Sequence, residues 1–327
     1  MKEGTVGDRQ HLFSWRRSGL LLLALACTST TPGRAQNTAA KPESAAQVDV
    51  DAPAVTLPAT STPEDRSREA WAILTDAAGD TKHTQTRIQA LAALALLRSP
   101  QSANMIAAAM TEPDLDIRTA AVLAAGQTKD RNLTTNLRNL LDDKEPEVAF
   151  AAAMTLWKMG DKSGEDILMS VVDGDSSAGP TMVHGAKHKM SKDLHDPAML
   201  ARVGAIQAAS MFFGPFGYGL AAYEFIHQSG GDVARMSAIE QISQEKTEPI
   251  HRELVVALKD KDPVVRVAAA KALTDYNDKA TSMALYALFV DSKYPVRLTS
   301  AAAYLRTTGT PGPGATAISH EVASAKH

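Results

Sequence analysis

Arginines recur along this chain at a fixed interval. Arg235, Arg266 and Arg297 stand 31 residues apart, and upstream Arg87, Arg118 and Ala149 keep the same interval, with alanine in the third arginine's place. A period of roughly 20 to 50 residues is the mark of stacked supersecondary units. The residues downstream of each marker repeat as well. Three residues on lie Ala90, Ala121, Ala152, Ala238, Ala269 and Ser300; four on lie Leu91, Val122, Ala153, Ile239, Ala270 and Ala301; seven on lie Leu94, Ala125, Leu156, Ile242, Leu273 and Tyr304. Offsets of three, four and seven share one face of a helix with 3.6 residues per turn. The face is small and apolar, which suits close packing of helix on helix. Composition agrees, since the 327 residues are 44% hydrophobic but only 5% aromatic, whereas a single large core draws on more rings.

Each marker helix has a partner before it. These first members read as 64–78, 101–110, 132–141, 165–172, 219–228, 249–259 and 280–290. The first opens at Thr62-Pro63-Glu64, where threonine caps the turn, proline fits the first helical position and the acids suit the dipole. Gly126 and Gly160 read as left-handed caps that end two second helices. The turns carry acids with proline, as in Glu112-Pro113-Asp114, Lys144-Glu145-Pro146 and Asp262-Pro263.

The recurring Asp/Pro, Val/Ile-Arg, Ala-Ala pattern resembles HEAT repeats, particularly the short kind named after phycobilisome lyases, over residues 62–307. The resemblance implies an all-α fold, a right-handed α-solenoid of about seven helix pairs whose second helices line a concave face. It also implies that Arg118, Arg235, Arg266 and Arg297 are structural, tying turn acids of neighbouring repeats into a ladder, because such stacks draw stability from nearest-neighbour interfaces. Ala149 departs from that pattern, and a phosphate-binding ladder is the competing reading.

The N-terminus reads as an export signal over residues 1–35. Arg16-Arg17 precede the apolar run Leu20 to Ala26, which falls short of the about 20 residues that span a bilayer. Two cleavage readings stand side by side. One cuts after Ala35; the other uses Ala24-Leu25-Ala26-Cys27, which resembles a bacterial lipobox and leaves Cys27 lipidated, the sole link to a membrane. Cys27 is the only cysteine, so the remainder has no disulfide. Residues 36–61, rich in Ala, Pro, Ser and Thr, read as a flexible linker, and 308–327 as a disordered tail. The formal charge is −3, and removing residues 1–35, with five basic and two acidic groups, leaves −6. That balance carries no footprint for nucleic acid.

One repeat is interrupted. Counting 31 from Ala149 reaches Pro180, and the phase resumes only at Arg202, followed by Ala205, Ile206 and Ala209. An insertion at about residues 174–196 accounts for the shift. It holds His184, His188 and His195. Histidines four apart share a helix face, so His184 and His188 can meet one zinc or copper ion with His195 or Asp196 closing the site. Against this, Gly185 weakens the helix and Lys187, Lys189 and Lys192 repel a cation; a polar loop is the default expectation, and no cofactor is implied. Just beyond, Phe213, Phe216 and Tyr218 flank Gly214-Pro215. They either lie buried at a turn in the stack or protrude as an aromatic anchor for a partner.

Two catalytic groups of relatives set a test for enzyme readings. The helical-repeat hydroxylases hold two irons with His-Glu pairs at the starts of second helices. Those starts here read Arg118-Thr119, Ala149-Phe150, Arg235-Met236, Arg266-Val267 and Arg297-Leu298, and the only His-Glu pair is His320-Glu321 in the tail. The bilin lyases act on cytoplasmic light-harvesting proteins, at odds with export. No Ser/His/Asp set, phosphate loop or cysteine nucleophile is recognisable. The expectation is a non-enzymatic scaffold of the cell envelope that binds another protein. The alternative is a metal-binding protein, or a metal-dependent oxidoreductase related to the hydroxylases.

Overall fold

The computed structural model describes residues 51–58, 60–172 and 232–309. Among the described residues the regular elements are helical: α1 (Pro63–Ala78), α2 (Thr84–Leu94), α3 (Pro100–Ala109), α4 (Leu115–Thr128), α5 (Thr134–Asn139), α6 (Pro146–Lys158), α7 (Glu165–Val172), α8 (Val233–Ile242), α9 (Glu248–Ala257), α10 (Pro263–Ala272), α11 (Lys279–Tyr286) and α12 (Tyr294–Thr308), with short 3-10 turns between some of them. The odd helices are first members of a pair and the even ones carry the marker. The expected first helix at 219–228 lies outside the described residues.

Local chemistry sets the helix ends. Thr62 accepts the Asp65 N–H at 3.1 Å while the Asp65 carboxylate accepts the Thr62 N–H at 3.0 Å, and Pro63 follows at the first position. Asp114, Asp262 and Asp278 cap α4, α10 and α11 through N–H groups two or three residues on. These side chains satisfy donors that no helix can satisfy internally. Gly160, with φ +84°, follows α6 in the left-handed region. Gly126 does not end its helix: it sits inside α4, and Lys129 at φ 54° supplies the left-handed turn. Its role is spatial, since a Cβ there would lie 3.0 Å from the Thr155 methyl of α6.

The ladder arginines act from the second helices. Arg118, 4% exposed, donates from Nε and Nη2 to both Asp143 carboxylate oxygens at 2.8 and 2.9 Å, and from Nη1 to the carbonyls of Glu112 and Pro113. Arg266 repeats the arrangement with Asp291 at 2.9 Å twice and with the carbonyls of Asp260 and Lys261. Arg87 reaches Glu112 at 2.8 Å and Arg235 reaches Asp260 at 2.5 Å. Each acid lies in the turn of the next repeat, and Asp143, Asp260 and Asp291 also accept an N–H of their own turn. One guanidinium thus holds the end of its own first helix and the following turn at once. The Arg235 rung is open, and the hydrogen bond from Arg235 is the main reason the Asp260 pKa falls to about 2. Ala149 has Gly174 at the acid's position, so that rung is lost on both sides.

Arg297 does not join the ion pairs. Among the described residues no repeat follows it, and it donates to the carbonyls of Asp291 and Pro53 instead. Residues 51–58, read from composition as linker, therefore run against the start of α12: the Ala52 N–H donates to the Ser292 carbonyl at 2.7 Å and Lys293 pairs with Asp51 at 2.7 Å.

The order of helices in space differs from their order along the chain. Second helices pack in the sequence α8, α10, α12, α2, α4, α6, because α1 and α2 dock on α12. The first described pair thus stacks on the last described helix. One core runs across this seam, from Trp71 and Leu74 to Leu298 and Tyr304. At the seam the small apolar face gives way to rings: Tyr304, 1% exposed, meets Phe289 edge-on at 5.6 Å, and Phe289 meets Tyr286 at 5.0 Å. Arg66 of α1 donates to the Tyr304 hydroxyl at 3.2 Å and lies 5.5 Å from the Tyr286 ring centre, while the Tyr286 hydroxyl donates to Glu69 at 3.3 Å. Covered on both sides, α12 is buried along most of its length; α8 buries Met236 and Ile239 and leaves Arg235, Ser237 and Ala238 exposed.

The rungs and the seam each set a stability outcome. Arg118→Ala strands the buried Asp143 carboxylate and costs about 3–5 kcal/mol in urea unfolding, whereas Arg235→Ala, at the open and solvent-screened rung, lowers the midpoint much less. Tyr304→Ala removes the ring at the seam and costs about 3–5 kcal/mol. Tyr304→Phe forfeits only the hydrogen bond from Arg66, about 1 kcal/mol.

Candidate functional site

Repeated positions build a charged recess. Nine residues after the marker stand Gln244, Asp275, Arg306, Leu96 and Gln127, on or just after α8, α10, α12, α2 and α4 in spatial order, and all five line one cleft of about 310 Å³. Eleven residues after the marker, Arg98 and Lys246 reach the same cleft from the segments that follow α2 and α8, and five after it stand Glu240 and Lys271.

The charges are organised around Asp275. Arg306 donates to it at 2.5 Å and to the Leu96 carbonyl at 2.7 Å, and Lys246 lies 3.6 Å away. Burial pushes the Asp275 carboxyl up, but Arg306, Lys246 and Arg98 together outweigh it and hold the pKa below the ordinary value. Burial raises the pKa of Glu240 against the opposing charge of Lys271, and burial lowers that of Lys271 well below the ordinary amine against the charge of Glu240. Glu240 Oε1 is buried without a hydrogen-bond partner. Arg98 holds φ 50°, a region that side chains other than glycine seldom adopt.

The hydroxyls nearby are committed. Ser243 Oγ donates to the Glu240 carbonyl at 2.9 Å and Thr274 Oγ1 to the Lys271 carbonyl at 2.8 Å. Neither has a base beside it. The cleft therefore offers charge and hydrogen bonds for recognition, and these two hydroxyls are already engaged with backbone carbonyls.

A second groove lies between α9 and α11. His251 stacks on Tyr276 at 4.4 Å, its Nε2 lies 2.6 Å from Thr281 Oγ1 and 3.3 Å from Asp278, and Nδ1 lies 3.7 Å from Glu248. The group resembles a catalytic triad in composition only. Thr281 is fully buried, and its hydroxyl donates to Asp278 at 2.6 Å, which leaves only a lone pair for the imidazole. This cluster clamps neighbouring first helices together.

The remaining expected site residues are elsewhere. Cys27, His184, His188, His195, Phe213, Phe216 and Tyr218 lie outside the described residues. Among the described residues no group of three or more His, Cys, Asp and Glu could hold a metal ion, and no helix is long and apolar enough to cross a membrane. Sequence reading passed over the cleft, although a signal was present: Glu240 and Lys271 occupy the same offset in consecutive repeats with opposite charge, as do Asp275 and Arg306.

The family model of HEAT repeats matches residues 103–179, which begin in α3 and run past α7. No curated protein matches the chain. Among solved structures, the complex of CpcE and CpcF of phycocyanin lyase from Nostoc sp. PCC7120 is similar at 18% identity, covering 83% of this chain and 99% of that one with a TM-score of 0.27. The assignment rests on the family match and on the helix pairs themselves. With HEAT repeats matched over residues 103–179, the described residues fold as a HEAT-like α-solenoid.

Proposed function

We propose that this chain is a non-enzymatic protein-binding scaffold of the cell envelope that seats its partner in the cleft at the C-terminal ends of the second helices. The observation that carries the reading is how the cleft is made: equivalent positions of five stacked helices surround one charged recess whose hydroxyls are already engaged. A row of repeat positions recognises a surface; a reaction needs convergent groups free to act on a bond. Stacked repeats also present extended curved surfaces of the kind partners use. The envelope location is supported by residues 1–35 alone, with Cys27 as the proposed anchor.

Affinity capture from envelope extracts with the mature chain is expected to recover the same protein partner reproducibly; recovery of a small-molecule turnover activity without a partner rejects the scaffold. Intact-mass measurement of the native protein tests the location. A diacylated N-terminal Cys27 supports the anchor, and a chain starting at Gln36 replaces it with a soluble exported form.

A further inference from the structure

We propose that the cleft receives an acidic peptide segment of the partner, its carboxylates paired with Arg98 and Lys246 and one of its backbone N–H groups donated to Glu240 Oε1. This deepens the scaffold reading and rests on it.

Charge balance is the first ground. The cleft sets Arg98, Lys246 and Arg306 against Asp275, while the buried Lys271 and Glu240 oppose each other's charge, in a chain of formal charge −3. Within it Asp275 is already answered by Arg306 at 2.5 Å. Lys246 stands off at 3.6 Å with its side chain 56% exposed, and Arg98, exposed, makes no side-chain hydrogen bond or ion pair among the described residues. These two cations occupy the same repeat offset in the segments that follow α2 and α8, on either side of the Asp275–Arg306 pair. Together they form a two-pronged receptor for anions.

The second ground is Glu240 Oε1, an acceptor buried without a hydrogen-bond partner. A buried acceptor left unmet is costly, so the occupant must bring an N–H or O–H. This separates the candidate ligands. A polyphosphate or an anionic lipid headgroup would satisfy Arg98 and Lys246 but set further oxygen atoms against Glu240. An acidic peptide carries carboxylates for the cations and backbone N–H groups for the carboxyl oxygen. A cleft of about 310 Å³ lies at the lower end of the roughly 300–1,000 Å³ typical of ligand sites, enough for a short segment.

The test is fluorescence anisotropy of labelled hexaglutamate with the full mature chain, with hexalysine and hexametaphosphate as the other probes. Hexaglutamate is expected to bind best and to weaken with added salt. Arg98→Gln and Lys246→Gln should each weaken it about tenfold, the order expected for a lost charge-assisted hydrogen bond. Glu240→Ala should weaken it while Glu240→Gln, which keeps an acceptor oxygen, should not, and Arg252→Gln in the other groove should leave affinity unchanged. Equal or tighter binding of either other probe, or variants without effect, overturns the inference. Partner capture separates the two levels: capture undiminished in the Arg98→Gln/Lys246→Gln double variant removes the acidic-segment proposal and leaves the scaffold standing, whereas no capture by the unaltered chain removes the scaffold itself.

Discussion

The packing of α1 on α12 is the contact on which the rest of the molecule depends. A helical pair in a stack buries its apolar faces only against neighbours, so the terminal pairs of a chain each leave one face bare. Here those two faces cover each other. The bare side of α12 meets α1 and α2, and the aromatic group of Tyr286, Phe289 and Tyr304 fills the space that alanine and leucine fill elsewhere. Arg66 and Tyr304 are 238 residues apart in the chain. Bringing them together carries a loop-closure cost that grows only slowly with length. Local pairs can therefore form first and the seam last, in line with the slower formation of distant contacts.

Ion pairs and the seam do different work. The rungs from Arg87, Arg118, Arg235 and Arg266 repeat at one register and set how far each turn sits from the next. A buried bidentate rung contributes mainly by forbidding misregister, because desolvating both charges offsets much of their attraction. Apolar burial supplies the net stability. Where the register ends, at Arg297, the guanidinium still needs acceptors, and the Pro53 carbonyl takes the place of the missing turn acid. The short stretch before α1 is thereby held in place by the end of the ladder.

The cleft is a consequence of the same seam. Leu96, Arg98 and Gln127 come from the N-terminal side of the junction, and Glu240, Lys246, Lys271, Asp275 and Arg306 from the C-terminal side. Separate them and the recess has no far wall. Its cations also stand at helix C-termini, where the backbone carries partial negative charge. Arg306 spends one nitrogen on the Leu96 carbonyl and another on Asp275, so it serves both as a cap for α2 and as the centre of the charged floor.

Residue order by itself determined the periodic part of this protein. A 31-residue phase, small apolar offsets, capping residues and turn acids placed nearly every described helix, because each signal acts within one pair or between neighbours in the chain. It failed at Gly126, where the local cap preference lost to the close approach of α6, and at residues 51–58, whose composition carries no mark of the acceptor Arg297 lacks. Tertiary structure alone decided which pair follows the last one, and hence which side chains share the cleft. Equivalent offsets were legible, but their meeting was not: a repeat pattern encodes the interface between successive units, and the docking of first on last is a long-range interface in which Tyr304 meets Arg66 and Tyr286 meets Glu69.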